Sequence, residues 1–252
     1  MRQDQLQLQD QPNSVSGPFT AKSEYTTLKV LQSLLPNLVN TEYDHGPFKL
    51  ICDDFGLANL IVRGDDDLTI VGVIDLEWVY SGPAQLFGSA PWWLLQDRPV
   101  NTEWDFQSGT TPEVTSRYLK YLEIFIRVLE GEEAKMAKHQ DRKLSTLIKW
   151  SQTSGAMWLH MLLSSGFFDS FSFPCGHLKE HVGDEWWNDM TSRIEETDEV
   201  KNFVDRKLPE LDRYDEDLDN IEKQKALMDN GKVTREEFVA LARSILAGCS
   251  NS

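Results

Sequence analysis

Between Phe48 and Ile74 the chain leaves the helical spacing that dominates it elsewhere. Three short β-rich runs stand there, Phe48 to Cys52, Leu60 to Arg63 and Leu68 to Ile74, the last two separated by Gly64 and three aspartates. They predict a strand, a loop and then a hairpin. On either side apolar residues recur every three or four positions. Tyr25, Leu28, Leu31, Leu34, Leu35 and Leu38 mark an amphipathic helix from about Ser23 to Val39 that ends at Pro36 or soon after. Further helices are expected over Pro112 to Leu129, Asp141 to Leu163 and Asp184 to Phe203. A small β segment inside a mostly helical chain restricts the fold class to α+β.

The flanks are less regular. Residues 1–20 are rich in Gln and Asp and carry Pro12, Gly17 and Pro18, which predicts a flexible, extended or disordered lead-in. After Trp78 come loop signals, Ser81, Gly82, Pro83, Pro91 and Pro99, interleaved with aromatics. Beyond residue 205 an acidic tail, 206–252, is expected to hold helices over Glu210 to Met228 and Thr234 to Leu246, with Thr234 and Glu237 forming a capping box. The main globular part is therefore expected over 21–205.

Charge and apolar content exclude several classes of function. With 40% hydrophobic residues in 252, the chain can bury a sizeable core. Forty-one acidic against 25 basic residues leave a net charge of -16, which repels a phosphate backbone, so nucleic acid is not an expected partner. The start has no apolar stretch resembling a signal peptide. The most apolar window, Gly155 to Phe168, is too short to span a bilayer and contains His160, so no membrane association is expected. Cys52, Cys175 and Cys249 are odd in number and far apart, which points to a reducing compartment, the cytoplasm.

The loop between the first two β runs carries candidate chemistry. Phosphoryl transfer needs a carboxylate to orient and deprotonate the acceptor hydroxyl, and oxygen ligands to hold magnesium on the nucleotide phosphates. In kinase catalytic loops the base Asp precedes a metal-binding Asn by five positions, and a second metal-binding Asp follows a β-hairpin. Asp54 and Asn59 have that spacing, and Asp75 ends the apolar run Val71-Gly72-Val73-Ile74. A single Asp-to-Asn match is weak in so acidic a chain, where Asp53 or Asp54 alone could cap a turn. The order of parts carries the reading: strand, Asp-rich loop, Asn opening a second strand, acidic turn, strand ending in Asp.

The run Gly46-Pro47-Phe48-Lys49-Leu50-Ile51-Cys52-Asp53-Asp54, with Asn59-Leu60-Ile61-Val62, Ile74-Asp75-Leu76-Glu77-Trp78 and Pro91-Trp92-Trp93-Leu94-Leu95, resembles the fungal branch of the aminoglycoside-phosphotransferase-like family. The resemblance extends over roughly residues 11–175. It implies a protein-kinase-like C-terminal lobe, mostly helical, whose small β-hairpin carries the catalytic loop and the metal Asp. It further implies Asp54 as catalytic base, Asn59 and Asp75 as magnesium ligands, Glu77 in support of Asp75, ATP as phosphate donor and a small-molecule hydroxyl as acceptor. Two positions depart from the pattern: Cys52 replaces a histidine common two residues before the base, and Leu76 and Glu77 follow Asp75 where the protein-kinase metal motif has its glycine.

The elements that hold ATP in this fold, a Gly-rich loop, a strand Lys and a helix Glu, are not evident. Before Gly46 the chain carries only Gly17, Lys22 and Lys29, and both lysines fall in or beside the first long helical pattern. The ATP-binding N-lobe therefore looks missing or truncated, and a non-catalytic interaction scaffold is the alternative function. Four other features of the sequence have plainer readings. Cys175, His177 and His181 lack a fourth ligand for a structural zinc, and read as a polar loop beside a helix start. The segment around Gly231 resembles half an EF-hand loop, but its first and third ligand positions fall on Ala226 and Met228. Asp65, Asp66 and Asp67 read as a solvated turn. Trp92, Trp93, Trp186 and Trp187 could stack on a flat acceptor, although packing is the commoner role.

Overall fold

The computed structural model describes residues 2–95, 113–136, 143–164 and 169–249. These are α+β and predominantly helical, and fall into two compact units: Thr27–Ser192, and Arg2–Thr26 together with Arg193–Ser252. The expected tail therefore belongs with the expected lead-in. The chain runs without a break in helix across residues 205 and 206.

The lead-in is a correction. Arg2–Asp10 forms helix α1, Pro12–Ser14 forms a 3₁₀ turn, and α2 already begins at Pro18, running Pro18–Leu38. Gln and Leu are good helix formers once tertiary contacts hold them. Leu8 and Val15 are buried, and the fully buried Lys207 donates from Nζ to the carbonyls of Gln9 (3.2 Å) and Gln11 (2.6 Å). In the same unit Tyr25 stacks on Phe203 at 4.2 Å, and its hydroxyl donates to Glu199 at 3.0 Å. Five of the six apolar positions expected on α2 are buried, and Pro36 lies inside its last turn.

Strands β1 (Phe48–Cys52), β2 (Leu60–Gly64) and β3 (Asp67–Val73) fall where the alternating runs predicted them. β2 and β3 form an antiparallel hairpin that pairs Leu60 with Val73. The stretch read as loop after Trp78 contains a further strand, β4 (Val79–Pro83), antiparallel to β1 with Cys52 opposite Val79 and Phe48 opposite Pro83. Gly82 and Pro83 are loop residues by composition, but Pro83 ends an edge strand, where its missing N–H does no harm.

The helices depart from expectation at specific residues. After the short α3 (Ala84–Phe87) and a 3₁₀ turn at Trp92–Leu95, α4 spans Glu113–Lys135, longer than expected; Pro112 and Asp141 lie outside the described residues. The single helix expected up to Leu163 is two, α5 (Lys143–Ser154) and α6 (Ala156–Ser164), divided at Gly155, whose φ of 79° is open to glycine at little cost. Buried Glu133 near the end of α4 accepts from the backbone N–H of Leu144 and Ser145 and from the Ser145 hydroxyl, capping the start of α5. The Cys175 to His181 stretch read as loop is helix α7 (Phe173–Val182). α8 (Asp184–Glu195) stops before Thr197, which caps α9 (Asp198–Asp229) by accepting from Val200 N–H. α9 absorbs the helix expected from Glu210 and runs through Pro209.

The resemblance to an EF-hand half is a helix stop: Gly231 at φ 69° lets Lys232 N–H reach Leu227 O and its own N–H reach Met228 O. The capping box opens α10 (Arg235–Cys249) as expected, Glu237 accepting from Thr234 N–H and Oγ1 while Glu237 N–H donates to Thr234 Oγ1.

Candidate functional site

β1 delivers the chain to Cys52, and the ladder continues one step further, with Asp53 N–H donating to Trp78 O at 3.2 Å. Phe55 N–H closes a turn on Cys52 O, and a 3₁₀ turn over Leu57–Asn59 leads into β2. Inside this loop Asn59 Nδ2 donates to the main-chain oxygen of Asp54 at 2.8 Å. That bond uses an amide donor and leaves the acceptor Oδ1 out of it. Asn59 O in turn accepts from Ile74 N–H at 3.0 Å, tying the start of β2 to the residue before Asp75. The two sequence-predicted metal ligands are thus set across one hairpin mouth, with the backbone of the predicted base bonded to one of them.

Asp75 has φ 59°, the left-handed conformation, and is the only residue other than glycine with positive φ among the described residues. Asp tolerates this region better than most residues, yet it costs on the order of 1 kcal/mol, and such positions concentrate at functional sites. Glu77, expected to support Asp75, is exposed and makes no hydrogen bond among the described residues.

The electrostatics report the same convergence. Burial raises the Cys52 thiol, and the charges of Asp54, Asp53 and, last, Asp75 raise it further, while the backbone N–H of Asp54 opposes them. Tyr80, on the strand beside β1, is pushed up to about 12 by burial and then by Asp53. Three carboxylates therefore share one small region, and Cys52 stays a neutral thiol at pH 7.

Trp92 holds the loop from the other side, donating from Nε1 to Asp53 O at 3.0 Å, and Trp93 meets Phe55 edge-on at 5.9 Å. Trp92 and Trp93 line a cavity of about 300 Å³, whose wall also includes Cys52 at the end of β1, Asp53 and Phe55 of the loop, Phe87 at the end of α3, Ser89 just beyond it, and His160 and Met161 of α6. Aromatic composition singled out the tryptophans as candidate pocket residues, but nothing in the sequence did so for Phe87, Ser89, His160 or Met161. Only the packing of α6 brings the last two to the loop.

His160 is half-buried as a residue, but its Nε2 is closed off from water and has no hydrogen-bond partner among the described residues. Burial lowers its pKa to about 4, so the ring is neutral at pH 7. Because the unfolded ring titrates near 6.5, the unfolded chain binds more protons between these values. The resulting stability is complete above about pH 6.5 and is lost as the pH falls through about 4. His160→Gln is expected to flatten the decline of stability across that interval, measured by urea unfolding at several pH values. An unchanged slope contradicts the assignment.

The other candidates resolve into structure. Cys175 is buried, and His177 stacks on Trp158 at 4.5 Å with Nδ1 3.1 Å from Glu180. Asp67 accepts from Arg63 and Thr69, bonds that hold its carboxyl below its ordinary range and close the hairpin turn. Among the described residues no three His, Cys, Asp or Glu side chains are grouped to hold a metal by themselves.

The hairpin is apolar on both faces and uncovered: Leu68 is 74% exposed and Val71 56%, with Ile61, Ile70, Val73 and Ile74 also exposed. Surfaces of this kind mark interaction sites. Compared with protein-family models, curated proteins and solved structures, the chain matches none of them.

Proposed function

We propose that the segment from Cys52 to Glu77 is the catalytic-loop and metal-binding half of a small-molecule phosphotransferase with a protein-kinase-like C-terminal lobe, resembling the fungal aminoglycoside-phosphotransferase-like proteins. The observation that carries the reading is the bond from Asn59 Nδ2 to Asp54 O, continued through Asn59 O to Ile74 N–H. It ties base, ligand and hairpin into one rigid unit, as preorganised transfer requires.

In this reading the Asp54 carboxylate orients the acceptor hydroxyl and takes its proton as the oxygen attacks phosphorus. Asn59 Oδ1 and the Asp75 carboxylate are hard oxygen donors that fit magnesium, which prefers few protein ligands completed by phosphate oxygens and water. When bound with ATP, the metal would neutralise charge on the transferring phosphoryl group. Asp53 shapes the loop through its main chain, and Trp92 secures it. Lys22 and Lys29 both lie on α2 rather than on a strand, so the basic group for the nucleotide phosphates is not among them. A cytoplasmic setting and an acceptor other than nucleic acid go with this reading; no helix among the described residues is long and apolar enough to cross a membrane.

The uncovered β2–β3 hairpin favours a second reading, a non-catalytic interaction scaffold that keeps this lobe. Calorimetry with ATP in the presence and absence of magnesium separates the two. Magnesium-dependent binding that Asp75→Ala removes supports the phosphotransferase reading. No binding, or binding indifferent to magnesium and to Asp75, favours the scaffold.

A further inference from the structure

The cavity beside the loop has a chemistry that the catalytic reading does not use. Its wall is built largely from Leu50, Leu86, Phe87, Trp92, Trp93 and Met161, so most of the surface offered to an occupant is apolar or aromatic. Three of its residues are titratable: Cys52, Asp53 and His160. The thiol and the imidazole are both neutral at pH 7, which leaves Asp53 as the single charge and no cation among the described wall residues.

An anionic occupant would meet no counter-charge and would lie near three carboxylates. A polycation would find one carboxylate on a surface of aromatic rings, too little to offset the desolvation of several ammonium groups. Ser89 Oγ and His160 Nε2, both on residues of this wall, are buried with no hydrogen-bond partner among the described residues, an unfavourable state for a polar atom. A volume of about 300 Å³ lies at the small end of ligand sites, enough for one or two rings.

We propose that this cavity binds a small, uncharged, largely apolar molecule, of which an aromatic alcohol is the simplest form, and that the molecule lies against Cys52, Asp53 and Phe55 with its hydroxyl toward the catalytic loop. Only the direction of the hydroxyl, toward a loop that would phosphorylate it, rests on the phosphotransferase reading; the binding site stands on the walls. The inference separates this chain from proteins that take aminoglycosides, whose several positive charges the wall does not match.

The test uses the full chain and follows its intrinsic tryptophan fluorescence, to which Trp92 and Trp93 contribute. Naphthylmethanol, kanamycin and glucose phosphate are titrated as neutral, cationic and anionic probes. Naphthylmethanol is expected to change the emission saturably, and the other two to leave it unchanged at the same concentrations. Phe87→Ala removes one ring of the wall at a position already 43% exposed, so the fold is retained, and it is expected to weaken naphthylmethanol binding at least about tenfold.

Absence of saturable binding by the neutral probe, equal or tighter binding of a charged one, or an affinity unchanged in Phe87→Ala overturns the proposal. Binding of naphthylmethanol without its phosphorylation leaves the site standing and counts against the catalytic reading. Phosphorylation confined to charged acceptors does the reverse.

Discussion

Asp54→Ala is expected to lower the rate of phosphate transfer by about 10²–10⁴-fold, the usual loss when a positioned general base is removed. The fold should survive, because the Asp54 group that holds Asn59 is its main-chain oxygen, which alanine keeps. Thermal unfolding of the variant should therefore stay close to that of the parent chain, while the labelled-phosphate rate collapses. Asp54→Asn should behave similarly, since an amide orients a hydroxyl without accepting its proton. A variant that transfers phosphate at the parental rate would remove Asp54 from the chemistry and leave the loop as a turn.

The largest expected loss of stability comes from Phe173→Ala. Phe173 opens α7 with no exposed surface and meets Trp158 edge-on at 6.2 Å, while Trp158 also packs against Tyr118 at 6.0 Å. This aromatic cluster joins α4, α6 and α7. Truncating a buried phenylalanine costs about 3–5 kcal/mol, because lost transfer energy and the residual cavity add. In a chain of this size that lowers Tm by roughly 6–20 °C. Phe173→Leu should cost about 1.5 kcal/mol or less, since it keeps most of the volume. Calorimetry of the two variants separates a packing role from a local helix-start effect, which would give similar losses for both.

Much of the fold was legible because its signals are local. Alternation in Leu60 to Ile74, with Gly64 and the aspartates as punctuation, specifies a hairpin whose two strands lie beside each other in sequence. The buried face of α2 and the capping box at Thr234 and Glu237 are likewise written within one or two turns. β4 was not legible, because Ser81, Gly82 and Pro83 favour turns and outweigh Val79 and Tyr80 until pairing with β1 draws the segment out. Nor was the break at Gly155, since an apolar window with one glycine reads as continuous helix until its φ is known. The lead-in became helix through contacts with residues near Lys207, about two hundred positions away in the chain.

The site divides in the same way. Asp54, Asn59 and Asp75 fall within one loop and one hairpin, so spacing alone brings them together. Glu77 is exposed and no hydrogen bond joins it to Asp75, and the left-handed φ of Asp75 between the two strands is a feature that residue spacing does not encode. The cavity lay beyond the sequence. Its walls come from β1, the Trp92–Leu95 turn and α6, and the neutrality of His160 depends on burial that no spacing encodes.

Phosphate transfer by this loop, as proposed, is read directly by following labelled γ-phosphate from ATP. The full chain is incubated with magnesium and neutral hydroxyl compounds, beside Asp54→Ala and Asp75→Ala and beside a reaction without magnesium. The account predicts label in an acceptor for the parent chain with magnesium, and loss of that label in both variants and in the metal-free reaction. No transfer to any acceptor, or transfer that persists in Asp54→Ala and Asp75→Ala, would contradict it.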